Sequence, residues 1–195
     1  MIDFATISKK LTIGCMASLI LFALVLAATH RILHVKHKNF YDSNEILINE
    51  EIPKFNLPTL NNLQVLINQN FLKNKVTLIS IWSTNCRTCR HEHKVLLNIA
   101  KYLTDKEINF VGLNCNDNQE QALEWLQRHG DPYNFNLLDQ QGTLVADLGT
   151  TGLPDFFIVD SYNKIQYKYS GVITTAIWEQ NIRPILERLY LRTDQ

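Results

Sequence analysis

Val76-Thr77-Leu78-Ile79-Ser80-Ile81-Trp82, followed after three residues by Cys86-Arg87-Thr88-Cys89, decides the fold. The first stretch is an apolar run of strand length, as expected of a buried central strand. From Cys86 to about Leu103 the apolar residues Val95, Leu96, Ile99, Ala100 and Leu103 recur at helical spacing. A strand that hands a C-x-x-C to the first turn of a helix is the geometry of a reversible dithiol/disulfide site. Cys86 then lies exposed at the helix N-terminus, where unpaired backbone N–H groups and the helix dipole favour a thiolate. Arg87 adds a neighbouring cation. Cys89 lies one turn deeper, placed to attack a mixed disulfide formed by Cys86.

Outward from this centre, helical and strand signals alternate. Ile108–Asn114 reads as a second strand. Asp117 reads as the cap of a helix with Glu120 three residues on, and Gly130 follows its end. Phe135–Leu138 is a short strand. Phe156–Val159 and Ile165–Tyr169 read as an antiparallel pair, and a last helix runs from about Thr175 to Leu191 with a bend at Pro184. The order βαβα then ββα predicts an α/β mixed sheet flanked by helices. In that topology Cys115 ends a strand at the edge that carries Cys86. It reads as an inert buried thiol, although a third redox thiol is geometrically open.

The N-terminus reads as a membrane signal. Leu11 to Thr29 contains no charged residue, close to the ~20 apolar residues that span a bilayer as a helix. Val25-Leu26-Ala27 also offers a cleavage site, but the run is long for a signal-peptide core. Residues 1–10 are read as a cytoplasmic tail, 11–29 as a transmembrane anchor, 30–52 as a juxtamembrane tether and 53–195 as one folded domain. Flanking charge slightly opposes that orientation. A redox domain outside the cytosol, where disulfides persist, favours it. The chain balances 19 Lys and Arg against 19 Asp and Glu, which gives no reason to expect nucleic acid as a partner. No glycine loop for a nucleotide is present and no cofactor is implied.

Longer stretches carry a family likeness. They are Trp82-Ser83-Thr84 through Cys86, Cys89, Arg90, Glu92 and His93; Val111-Gly112-Leu113-Asn114; Trp125-Leu126 through Gly130 and Pro132-Tyr133; and Leu148-Gly149 through Gly152, Pro154 and Phe156-Phe157-Ile158-Val159-Asp160. From Pro53 to Leu189 the chain resembles the thioredoxin-like, membrane-anchored thiol:disulfide interchange proteins of cytochrome c maturation, the DsbE or CcmG group. The resemblance implies Cys86 as nucleophile and Cys89 as resolving thiol. It implies a partly buried carboxylate at Glu92 that takes the resolving thiol's proton, with Asp155 as a second carboxylate. It also implies a cis bond between Leu153 and Pro154, whose backbone receives an extended client. The implied clients are apocytochrome c or a maturation helper protein, recharging comes from a membrane thiol reductase, and the location is the periplasmic side of a bacterial inner membrane. Asn85, Arg87, Lys94 and Asp155 depart from the family pattern, which bears on tuning rather than on the presence of the dithiol.

Two other readings compete. Cys86, Cys89, His91 and His93 form a C-x-x-C-x-H-x-H cluster that a periplasmic copper chaperone could use, although His91 and His93 point to different helix faces. A binding module that uses the same surface without catalysis is the other. Covalent haem attachment is disfavoured, because Arg90 stands where that motif needs histidine.

Overall fold

The computed structural model describes residues 22, 24–26 and 47–193. The expected cytoplasmic tail, residues 30–46 of the tether and most of the expected anchor lie outside these, and anchor residues 22 and 24–26 are helical. Among the described residues no helix is long and apolar enough to cross a membrane.

A five-stranded sheet organises the domain. Its strands are β3 (Thr77–Trp82), β4 (Asn109–Cys115), β5 (Phe135–Asp139), β6 (Asp155–Val159) and β7 (Ile165–Ser170), after a small hairpin of β1 (Asn56–Pro58) and β2 (Leu66–Asn68). Their order is β5-β4-β3-β6-β7. β3 pairs in parallel with β4, and β4 with β5, whereas β6 is antiparallel to both β3 and β7. All six residues of β3 are buried, as befits a central strand covered on both faces.

The crossovers α1 (Arg87–Thr104) and α2 (Gln119–His129) lie on one face of the sheet. Leu96, Ile99 and Leu103 of α1 and Leu126 of α2 share one apolar cluster with Leu78, Phe110, Phe156 and Ile158 of the sheet. Same-side, right-handed crossovers require this arrangement when parallel strands are added in one direction. A terminal helical run, α4, closes the same face. It consists of α-helix Thr175–Ile177, π-helix Trp178–Ile182 and α-helix Arg183–Thr193. Where the sequence reading placed a bend, a π segment ends two residues before Pro184, which has no N–H for an ordinary helical bond. Short α3 (Thr143–Asp147) covers the far face, where Leu144 and Val145 pack with Ile79, Ile81, Phe157 and Val159.

Two boundaries differ from the sequence reading. Residues 47–52, assigned to the tether, join the domain. The N–H groups of Asn49 and Ile52 donate to the carbonyls of Ile165 and Asn163, both at 2.8 Å, and Ile52 packs in the far-face cluster. The cap of α2 is Asn118, whose side chain accepts from the N–H groups of Glu120 and Gln121. Asp117 is thereby free for another task.

Candidate active site

β3 ends in a built platform. The Trp82 ring stacks on Tyr133 at 6.0 Å and tilts against Trp125 at 5.7 Å, and its indole N–H donates to Asn136 Oδ1 at 3.3 Å. Gly112 makes this possible: a Cβ there would lie 2.1 Å from Asn136 Oδ1 and 2.7 Å from the Tyr133 ring. Beyond Trp82 the chain turns toward α1 under the control of Asp117. That carboxylate accepts from the Thr84 N–H at 2.6 Å, the Thr84 hydroxyl at 2.7 Å, the Ser83 hydroxyl at 3.4 Å and the Asn114 amide at 3.0 Å. Burial opposes its charge, but these hydrogen bonds prevail and hold it below the ordinary carboxylate range. Asp117 thus clamps the loop that delivers Cys86. Nothing in the sequence signals this, because Thr84 lies 33 residues away.

Cys86 and Cys89 form a disulfide with an S–S distance of 2.04 Å. Cys86 occupies the N-cap of α1 in an extended conformation, and its Sγ accepts from the Cys89 N–H at 3.0 Å. The sulfur therefore does what a serine or aspartate oxygen does at other helix starts. Cys86 is half-buried, whereas Cys89 is only 6% exposed. The bond between Leu153 and Pro154 is cis, as the resemblance implied. Pro154 opens β6 beside the end of β3, where Ile81 pairs with Asp155. Thr88, which sequence reasoning passed over, joins the two parts. Its hydroxyl donates to the Leu153 carbonyl at 3.3 Å and lies 3.3 Å from Cys86 Sγ.

Cys86, Thr88 and Leu153 face an open groove of about 350 Å³ that Asn85, Asn116 and Cys115 also line. Cys115 is a free thiol, 1% exposed. Burial, then the charges of Asp139 and Asp117, push it up to about 11. It is a poor nucleophile at neutral pH.

Glu92 is 1% exposed and lines, with Cys89, Trp82 and Tyr133, a small cavity beneath the disulfide. Its Oε2 accepts from the Ile173 N–H at 2.7 Å, while Oε1 has no partner. Burial raises its pKa to about 8, against the smaller opposing effect of that hydrogen bond. Glu92 is therefore largely a neutral acid at pH 7.

Asp155, the second carboxylate that the resemblance implied, faces the other side of the sheet from Glu92. Along β6 alternate side chains face opposite ways. Phe156 and Ile158 join the α1 cluster and Phe157 and Val159 the far-face cluster, and Asp155 has the parity of the latter. Its carboxylate lies 3.6 Å from Lys168 Nζ, both side chains nearly excluded from water. Arg87 is exposed. His93 is turned into the α1–α2 contact, where its Nε2–H donates to the Gly130 carbonyl at 2.9 Å, and burial lowers its pKa. The C-x-x-C-x-H-x-H residues do not converge, and no group of three or more acidic, His or Cys side chains among the described residues could hold a metal ion.

The redoxin family model matches residues 47–183. The thiol:disulfide interchange protein DsbE of Escherichia coli K12 is 36% identical over 143 residues, covering 73% of this chain and 75% of the relative. The DsbE protein of Vibrio cholerae is 31% identical over 150 residues, covering 77% and 79%. Among solved structures, a secreted thiol-disulfide isomerase from Corynebacterium glutamicum superposes with a TM-score of 0.61 at 19% identity, over 74% of this chain and 86% of that one. A thiol:disulfide interchange protein of the thioredoxin family from Chlorobium tepidum gives 0.59 at 20% identity, over 72% and 95%. These two likenesses establish the thioredoxin-like fold. With the cysteine pair at the start of α1 and the sequence identity to the DsbE proteins, the chain belongs to the DsbE family of thiol:disulfide interchange proteins and is a protein thiol-disulfide oxidoreductase.

Proposed function

We propose that this protein is a membrane-anchored, periplasm-facing reductant whose client is apocytochrome c or a helper protein of its maturation. The observation that carries the reading is the asymmetry of the cysteine pair: Cys86 at an open groove, Cys89 over a buried neutral acid. In the reduced form the Cys86 thiolate attacks a client disulfide, and one client sulfur leaves as a thiolate. Cys89 then gives its proton to Glu92, through the minor fraction of that carboxyl that is ionised at neutral pH, and attacks Cys86 Sγ, which releases the second client thiolate. Two electrons pass from the dithiol to the client, whose sulfurs take up protons. A membrane thiol reductase reverses the oxidation of the pair. The resemblance to the cytochrome c maturation group supports the client class, and the uncharged run from Leu11 to Thr29 supports the anchor.

A redox titration of the full chain against glutathione or dithiothreitol tests the direction. A potential far below the value of about −120 mV known for a strong periplasmic oxidase agrees with a reductant. A value near it overturns the reductant assignment. Incubation of the Cys89→Ala protein with oxidised apocytochrome c then accumulates a mixed disulfide through Cys86. Its absence removes that client.

A further inference from the structure

A second cleft, of about 500 Å³, opens between α1 and α2, within the size range of ligand clefts. Arg90, Lys94 and Leu97 of α1 line one wall, and Trp125, Arg128 and His129 of α2 the other. Arg90 and His93 line both this cleft and the small cavity under Cys89, so the cleft adjoins the redox pair. Its positive character is local. From Thr84 to Thr104 the only acid is Glu92, which is buried and largely neutral. Arg90 and Lys94 are exposed and have no carboxylate partner among the described residues. Two acids stand nearby and both are engaged. Glu124 pairs with Arg128 one turn on, and Asp131 accepts from the Tyr133 N–H and the Asn136 amide. Half-buried Trp125, held between the rings of His93 at 4.3 Å and His129 at 4.9 Å, supplies an aromatic floor.

Geometry ties the cleft to the reacting sulfur. Cys86, Arg90 and Lys94 recur at intervals of four and so share one stripe of α1. At about 1.5 Å rise per residue, Arg90 lies roughly 6 Å and Lys94 roughly 12 Å along the axis from Cys86. An extended client covers those spans in about two and about four residues. A planar guanidinium and an ammonium on such a stripe fit carboxylates.

We propose that the α1–α2 cleft is a docking site for a carboxylate-bearing stretch of the protein client, with acidic side chains about two and about four residues from the cysteine that Cys86 attacks. This rests on the disulfide-reducing function proposed above and adds a selectivity to it. The cleft contributes rate through encounter and register rather than through the chemistry at sulfur.

Full-length protein, reduced and freed of reductant, is mixed with peptides that each carry one cysteine as a mixed disulfide with a chromogenic aryl thiol. The peptides differ only in holding Asp, Asn or Lys at the second and fourth positions on either side of the cysteine. At low salt the Asp peptide releases the aryl thiolate about tenfold faster than the Lys peptide, and the gap narrows as salt rises. Lys94→Glu abolishes the preference, Lys94→Arg keeps it, and Arg188→Glu, the same charge reversal on α4, leaves it in place. Equal rates for the three peptides overturn the docking site while leaving the reductant intact. A loss of preference in Arg188→Glu as complete as in Lys94→Glu also overturns it, because a general field would then be the cause. Failure of every peptide to react removes the dithiol function itself.

Discussion

Glu92 and Asp155 are carboxylates of nearly equal burial, 1% and 2% exposed, on opposite faces of one sheet, and their chemistry diverges. Glu92 sits among Trp82, Leu96 and Tyr133 with one backbone donor and, although Arg90 lines the same cavity, no ion pair among the described residues. Water is removed and nothing replaces it for the charge, so the proton stays. Asp155 faces Lys168, whose ammonium also donates to the Gly149 carbonyl at 2.8 Å and lies 5.3 Å above the Phe157 ring. Burial alone therefore does not make a proton-transfer group. A buried carboxylate with a cation is a structural pair, and one without is a group whose proton can be lent.

The largest effect comes from breaking the structural pair. Asp155→Ala leaves Lys168 buried without its partner and costs about 3 kcal/mol, as single losses from buried pairs do. Chemical denaturation reads this, while the rate constant for thiol-disulfide exchange stays near that of the parent protein. Replacing both partners, Asp155→Asn with Lys168→Met, recovers most of the stability.

Breaking the other carboxylate has the reverse signature. Glu92→Gln slows the resolving step at Cys89 by about 100-fold, the lower range for loss of general acid–base help. Quenched-flow capture of the mixed disulfide measures it. The same substitution changes the pH dependence of stability. The folded protein holds the Glu92 proton up to about pH 8, whereas the unfolded chain releases it near 4.5. Stability associated with this group is complete below pH 4.5 and falls as the pH rises toward 8, by up to about 1.4 kcal/mol per pH unit. In Glu92→Gln that slope disappears. A slope that survives the substitution assigns the titration to another group.

The smallest of these effects belongs to the exposed side of the disulfide. The single hydroxyl hydrogen of Thr88 serves either the Leu153 carbonyl or Cys86 Sγ, and an anionic sulfur is the stronger acceptor. Thr88→Val removes the donor and raises the Cys86 thiol pKa by about one unit, roughly 1.4 kcal/mol. Thiolate absorbance against pH detects this. A less stable thiolate also lowers the reduction potential, by about 30 mV for a tenfold change in equilibrium. Thr88→Ser keeps both values.

The strand, the cysteine pair and α1 were legible because each signal is local: an apolar run, a four-residue motif and a helical stripe. Glu92 was legible for the same reason, three residues beyond Cys89 on one face. The face that Asp155 occupies was not legible because Phe156-Phe157-Ile158-Val159 is apolar on both faces, so the alternation that reveals strand parity is missing. Asp117 was misread because Asp and Asn are both good caps, and only the fold shows that Asn118 caps α2 while Asp117 holds Thr84. The β1–β2 hairpin and α3 passed unseen. The strands are three residues each, and α3 starts from Gly142 in a left-handed conformation, its first N–H groups held by Asp139 three residues before Gly142 rather than by a side chain at the cap position itself. The positive cleft was visible only in pieces, since its walls come from helices separated by β4.

Cys86, and not Cys89 or Cys115, is the sulfur that meets the outside. Full-length protein is reduced, treated briefly with a limiting iodoacetamide dose across a range of pH, digested, and its three domain cysteines are quantified by mass spectrometry. Modification of Cys86 well ahead of Cys89 and Cys115, with a midpoint below the ~8.5 of a free thiol, is the predicted result. Modification of Cys89 or Cys115 first would contradict the assignment of nucleophile and resolving thiol.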